Sequence, residues 1–264
     1  MPSDAVDIPQ GLIGPGGAAL YETDLFRPTY RPMQGARWRL DVVPLCMVPG
    51  YWSGPQVVTD MAALVRDEGD GKGVRTWMSM TPLEIESQGL GCRAAFGRTV
   101  VMGLGMGWAA ANSALRPDVT AVTVVEFDPE VIGMIAETGV FSQLPPDAQA
   151  RITVVRGDAL TYTPDQPADT LLADIWLPLN GDDRVEQVRA MRANTGASKV
   201  YFWGQEMVIA GRARAQGLSL EPGTVGRASV ERIVAELGMP LIGPELPGYP
   251  ELIALAAAQW LQDV

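Results

Sequence analysis

The sequence predicts an α/β fold, a mostly parallel, doubly wound sheet with helices on both faces, preceded by an irregular or β-rich N-terminal extension. Three observations carry this prediction. Short apolar runs alternate with helix-length segments from Arg98 onward, the order expected of βαβ units. A glycine loop at Gly103, Gly105 and Gly107 joins the first run, Thr99 to Val101, to an alanine-rich segment. Acidic or polar residues close successive runs, and ligands of open α/β sheets bind at that edge. Residues 1–76 are read as an arm and extension, and residues 77–264 as the sheet domain.

Bulk properties narrow the function. A chain of 264 residues with 47% apolar side chains can bury a sizeable core, so one large domain plus an extension is expected. The net charge of −11 opposes binding to a phosphate backbone, so no nucleic-acid partner is expected. The first ten residues lack an export pattern and no apolar run approaches the ~18 residues of a spanning helix, so a cytoplasmic protein without a membrane partner is expected. Cys46 and Cys92 stand apart from any metal-ligand spacing and read as ordinary buried thiols, with no metal site. The absence of histidine excludes His-dependent triads and imidazole bases; proton transfer falls to a carboxylate, Tyr, Lys, Cys or water.

Taken in order, residues 1–20 are rich in Gly and Pro and read as a loose arm. Arg27, Arg31, Arg37 and Arg39 then interleave with Phe26, Tyr30 and Trp38, either as a solvated extension or as an anion-binding edge of a substrate site. Trp38 to Val48 has strand content interrupted by Pro44. Gln56 to Asp67 is expected to form an amphipathic helix, followed by a turn at Gly69 to Gly73. Thr81, Pro82 and Glu84 fit an N-cap, a first-turn proline and a capping-box acid, which gives Glu84 a structural job. Glu86 and Gln88 stay unassigned, and Trp77, Met78 and Met80 either line a pocket or fill core.

Beyond the glycine loop, a second strand ends at Glu126, Pro129 to Thr138 continues as a helix, and Phe141 to Ala150 reads as a loop. Strands are expected at Arg151 to Val155, Ala168 to Asp174 and Lys199 to Trp203, with a helix over Asp182 to Asn194. Gln205 to Gln216 and Gly226 to Leu237 read as helices, Pro240 to Pro244 as a short last strand, and Pro250 to Leu261 as a final helix.

The loop and the second strand suggest a nucleoside cofactor. Glycines let bare backbone approach a ligand while the following helix offers N–H groups, and an acid at the next strand tip can accept both ribose hydroxyls. The loop has two readings: GxGxG over Gly103, Gly105 and Gly107, or the dinucleotide form GxGxxA over Gly105, Gly107 and Ala110. Three features favour the first. A long segment bearing a helix precedes the glycine strand; Gly157–Asp158–Ala159 places a carboxylate where an adenine amino group would donate; and Asp174, Ile175, Trp176 place an acid and an aromatic at the reactive end.

On these motifs the chain resembles the class I S-adenosylmethionine-dependent methyltransferases: VVMGLGMG is similar to their first motif, VTVVEFDPEVI to the second, RGDAL to the third and TLLADIW to the fourth. The resemblance covers Arg98 to Trp203 and implies a Rossmann-like sheet. It implies S-adenosylmethionine with its methionine part at Gly103 to Gly107, its ribose on Glu126, its adenine near Asp158 and Ala159, and Phe127 against the purine. Asp174 is also expected at the cofactor. The family often has an acid at the position of Val101; here Glu86 or Asp174 is the expected substitute. The layout also resembles the spermidine-synthase branch, where an acid at the position of Asp174 helps deprotonate an amine, although Met106 stands where that branch usually has an acid. Methyl transfer to a small-molecule or protein acceptor is expected, with Asp174 as proton acceptor, Trp176 stacking on the substrate or shielding the methyl, and Glu206 with Gln205 orienting the acceptor. Trp176 and Trp203 also fit simple core packing. An aminopropyltransferase, a nicotinamide-dependent oxidoreductase and a non-catalytic cofactor-binding module are the alternatives, and a homodimer is admitted.

Overall fold

The computed structural model describes residues 19–181, 183–221 and 223–261. Residues 1–18 of the expected arm, and Asp182 at the start of an expected helix, lie outside them. Two sheets make up the architecture. The first is antiparallel, ordered β1-β2-β3-β4 from Met33–Gln34, Trp38–Pro49, Pro55–Asp67 and Val74–Ser79. The second is parallel, ordered β7-β6-β5-β8-β9, from β5 at Gly97–Met102, β6 at Val119–Glu126, β7 at Ile152–Arg156, β8 at Thr170–Ala173 and β9 at Lys199–Phe202.

The sheet order follows from connection handedness. Chain order runs outward from β5 to β6 and β7 on one side and to β8 and β9 on the other, so right-handed crossovers put the intervening helices on opposite faces. These are α2 at Trp108–Ala114 and α3 at Pro129–Thr138 for one half and α5 at Arg184–Thr195 for the other. The reversal between β5 and β8 opens a crevice at their carboxyl ends. This is the Rossmann-like arrangement the sequence predicts.

Around it, α1 at Pro82–Ala94 links the two sheets, and α6 at Gln205–Ala215, α7 at Arg227–Leu237 and α8 at Tyr249–Trp260 follow β9. One continuous hydrophobic cluster runs from Trp38, Leu40 and Leu64 of the antiparallel sheet through Ile85 to Val124, Leu171 and Phe202 of the parallel one. Burying that surface joins both sheets to a common core.

Several local expectations change. Gln56 to Asp67 is not a helix but most of β3, paired to β2 from Trp38↔Arg66 to Pro49↔Pro55. Its buried residues, Val57, Val58, Ala62, Ala63, Leu64 and Val65, imitate a helical stripe because the strand's alternation is interrupted at Asp60. That residue has φ of 50°, and the register skips Pro44, which has no N–H to give to the ladder. Gly69 to Gly73 does turn, as the connection between β3 and β4. The expected loop at Phe141 to Ala150 holds a 3-10 turn at Phe141–Gln143 and a short helix, α4, at Pro146–Ala150. Pro240 to Pro244 shrinks to a single parallel bridge, Leu241 to Val200. The capping box does not form: Thr81 is the N-cap and Pro82 opens α1, but no side chain caps it and Glu84 is buried.

Candidate functional site

A cavity of about 470 Å³ occupies the crevice, within the range of small-ligand sites. Its floor is the carboxyl edge of the parallel sheet: Gly103 and Gly105 after β5, Glu126 ending β6, Asp158 and Ala159 after β7, and Asp174 and Trp176 after β8. The antiparallel sheet forms the opposing wall with Arg37, Trp38, Arg66, Trp77 and Met78, and α1 adds Glu84 and Gln88.

The glycine loop is built differently from its sequence-based rationale. All three glycines have positive φ, 95° at Gly103, 49° at Gly105 and 78° at Gly107, so a side chain at any of them would strain the backbone. The space each lacks is taken by protein. A Cβ at Gly103 would lie 2.1 Å from the carbonyl oxygen of Asp174, and one at Gly105 would lie 2.3 Å from Sδ of Met78. At Gly107 the neighbours are Val140 and Phe141, and this residue, the N-cap of α2, does not line the cavity. Their bareness therefore seats the loop against β8 and the antiparallel sheet, and it leaves Gly103 and Gly105 at the ligand side. Met106 is fully buried, its N–H directed at Sδ of Met78 and its carbonyl accepting from the Tyr30 hydroxyl.

Glu126 ties the loop to the next helix. Its Oε2 accepts from Leu104 N at 2.9 Å and its Oε1 from Asp128 N at 2.8 Å. A carboxylate has about four lone-pair positions, so each oxygen keeps one unspent, and Glu126 lines the cavity, where a vicinal diol could donate to both. Asp128 caps α3 by accepting from Glu130 N and also accepts from Nε1 of Trp38, so it joins the two sheets. Phe127 stands at the mouth, 73% exposed. Asp158 accepts from Leu160 N through Oδ1 and keeps Oδ2 without a partner among the described residues, beside buried Ala159. One oxygen turns the chain and the other is available for an exocyclic amino group. This donor and acceptor set fits an adenosyl ligand.

After β8, Asp174 accepts from Nε2 of Gln88 at 2.7 Å. The same amide lies 3.4 Å from Oε2 of Glu84, so one amide group serves two carboxyl groups. Burial holds Asp174 above the ordinary carboxylate range, opposed by the positive charge of Arg184 and the Gln88 hydrogen bond. Burial and the neighbouring Asp174 raise Glu84 further. Cys92 also lines the cavity; burial pushes its thiol up to about 12, which keeps it protonated. Glu86, an expected substitute for the missing acid at Val101, is spent elsewhere: it accepts from the backbone of Tyr51, Trp52 and Ser53 and from the Ser53 hydroxyl.

Trp176 lines the cavity with its ring fixed. Nε1 donates to Oε1 of Gln187, and the guanidinium carbon of Arg184 lies 4.8 Å from the ring centroid. Arg184 in turn donates to the carbonyls of Pro178, Leu179 and Trp203, clamping the segment after β8. Trp203 both lines the cavity and packs in the core.

Glu206 is not at the site. It is fully buried, with the Tyr51 and Tyr249 hydroxyls donating to it at 3.1 and 2.9 Å and the Tyr201 hydroxyl, which also lies 2.6 Å from Ser87 O, at 3.1 Å, and it does not line the cavity. Gln205 is equally withdrawn, donating to Ile242 O and the Tyr249 hydroxyl. Both begin α6, and neither lines the cavity. Glu84, Gln88 and Arg66 take the places that sequence reasoning left empty. Their signal was weak: Glu84 and Gln88 stand four residues apart on one helical face, and the turn after Asp67 is hairpin-like.

No protein-family model and no curated protein sequence matches the chain. Among solved structures it is similar to the glycopeptide N-methyltransferase MtfA complexed with S-adenosyl-L-methionine, with 21% identity over 41% of this chain and 48% of that one and a TM-score of 0.32. A DhpI–SAH complex matches at 18% identity over 42% and 53% of the two chains, with a TM-score of 0.31. The methyltransferase domain of bacterial CtHen1 matches at 16% identity over 45% and 65%, with a TM-score of 0.34. The chain spans about half the length of the first of these structures.

Proposed function

We propose that the chain is an S-adenosylmethionine-dependent methyltransferase acting on a small-molecule or protein acceptor. The observation that carries this reading is the arrangement of Glu126, Asp158 and the Gly103–Gly105 backbone along one sheet edge, leading to Asp174 and Trp176 at its end. Glu126 would hold the ribose, Asp158 and Ala159 the adenine, and the loop the methionine part. The bound cofactor supplies a sulfonium with a transferable methyl group. The protein's own task is then positional: to hold a nucleophile in line at ~3–3.5 Å and exclude water. Trp176, fixed by Gln187 and Arg184, walls the reactive end. Asp174 accepts a proton or hydrogen bond from the nucleophile, and a carboxylate whose affinity for protons is raised by burial is a better base than an exposed one.

A second reading is favoured by one observation, the two carboxyl groups of Glu84 and Asp174 at the reactive end, which suit a cationic amine. In a spermidine-synthase-like aminopropyltransferase the transferred group would differ and the cavity would serve the same nucleoside. Calorimetric titration with adenosylhomocysteine tests the common part: saturable binding is expected, and no heat would overturn both readings. Chromatography of the nucleoside product separates them, with adenosylhomocysteine marking methyl transfer and methylthioadenosine marking aminopropyl transfer.

A further inference from the structure

Two arginines of this protein each lie over a pair of tryptophan rings, and they differ in what their terminal nitrogens do. Arg184 lies over Trp176 and Trp203, and both of its terminal nitrogens donate to main-chain carbonyls. Arg66 on β3 has its guanidinium carbon 5.5 Å from the Trp38 centroid and 5.8 Å from that of Trp77, two rings set edge to face at 82°. Nε of both arginines is shut off from water without an acceptor, but Arg66 makes no ion pair or hydrogen bond through its side chain among the described residues, so its terminal nitrogens are unspent. A cation–π contact engages the charge of a guanidinium and leaves its N–H donors to be satisfied.

We propose that Arg66 is an anion-recognition residue of the cavity, taking a carboxylate or phosphate group of a ligand held there. Arg66 lines the cavity wall, and the tryptophans fix its orientation before any ligand arrives. Arg37, whose side chain also has no ion pair among the described residues, lines the same wall. The nearby acid Asp128 does not answer them: its oxygens accept from Nε1 of Trp38 and from Glu130 N. The cavity is thus polarised, cations on the antiparallel-sheet wall and carboxyl groups at the parallel-sheet edge. A guanidinium fork suits the two oxygens of a carboxylate or phosphate, and a ligand bearing one would pair with Arg66 while its other end reaches Asp174. The assignment rests on the cavity being a ligand site and not on the identity of the cofactor.

The anion has two sources, the α-carboxylate of an amino-acid-bearing nucleoside or a group on a second ligand. The full chain is titrated as wild type and Arg66→Met, which keeps an unbranched side chain on the rings. A tenfold or greater loss of adenosylhomocysteine affinity in Arg66→Met, with affinity for methylthioadenosine unchanged, assigns Arg66 to the nucleoside's own carboxylate. Unchanged nucleoside affinity, with saturable quenching of tryptophan fluorescence by acetate or inorganic phosphate in wild type only, assigns it to a second ligand. Equal responses of both proteins to all four probes would overturn the proposal. If wild type binds neither nucleoside, the proposed cofactor is wrong and the acetate and phosphate titrations alone decide Arg66. Should Arg66→Met not fold, Arg66→Lys replaces it; keeping the charge without the fork, it is expected to lose threefold or more, and wild-type affinity would overturn the assignment.

Discussion

The protein buries carboxyl groups in two places and provides for them unequally. Glu206 has three tyrosine hydroxyls within hydrogen-bonding distance, from the loop after β2, from β9 and from α8, the β9 one shared with the carbonyl of Ser87. Glu84 and Asp174 share the single amide of Gln88. Burial raises the proton affinity of all three. Only the second group faces a cavity with lone pairs unspent. Desolvation by itself therefore does not mark a site in this molecule; desolvation with too few donors, opening on a cavity, does.

Breaking the open cluster should give the largest effect. Asp174→Asn keeps the shape and removes the proton acceptor, and turnover is expected to fall by ~10²–10⁴-fold, with a much smaller change in cofactor affinity. Equal turnover measured at saturating cofactor would take Asp174 out of the chemistry. In the wild type the rate should rise as pH passes through a value above the ordinary carboxylate range, because the ionised form is the competent one.

The sealed cluster sharpens the contrast through stability. Burial pushes Glu206 up to about 7, opposed by the hydrogen bonds it accepts. Between its unfolded value near 4.5 and about 7, the native state holds a proton that the unfolded chain has released, so stability is fullest below that window and falls as pH rises through it. Glu206 contributes roughly 3 kcal/mol to that decline at 1.36 kcal/mol per pH unit, and Asp174 and Glu84, also raised by burial, add to it with the same sign. Chemical denaturation as a function of pH should show the decline, and Glu206→Gln should reduce the slope while sparing turnover relative to Asp174→Asn. An unaltered slope would place the titrating group elsewhere.

The smallest effect belongs to a carboxylate that is only half-buried. Glu126→Ala is expected to weaken adenosylhomocysteine binding by ~1–3 kcal/mol, through lost charge-assisted hydrogen bonds to a diol. Calorimetry showing wild-type affinity in the folded variant would separate Glu126 from the ribose and leave it the internal bonds to Leu104 and Asp128 alone.

The parallel sheet and its edge were legible because a residue at a strand tip has its surroundings dictated by topology. Glu126, Asp158 and Asp174 could be placed from their position after an apolar run, whatever the rest of the chain does. Glu206 follows β9 by the same rule and was misplaced, since its partners Tyr51 and Tyr249 come from remote parts of the chain and nothing local announces them. Arg66 was hidden by a single error of period. Once Gln56 to Asp67 is read as a helix, its side chain has no wall to belong to; read as a strand, it falls opposite Trp38 in the β2–β3 register. Glu84 was likewise assigned to a cap it does not form, although its burial depends on α1 packing between the sheets.

Sδ of Met78 fills the space at Gly105 and accepts the N–H of Met106, so the signature loop of the parallel half is finished by an atom from the antiparallel half. A shortened chain starting at α1 would keep every recognisable motif and all five parallel strands, yet the turn they converge on would lack its plug. Anyone grafting this parallel half onto another scaffold must carry the hairpin of β3 and β4 along with it.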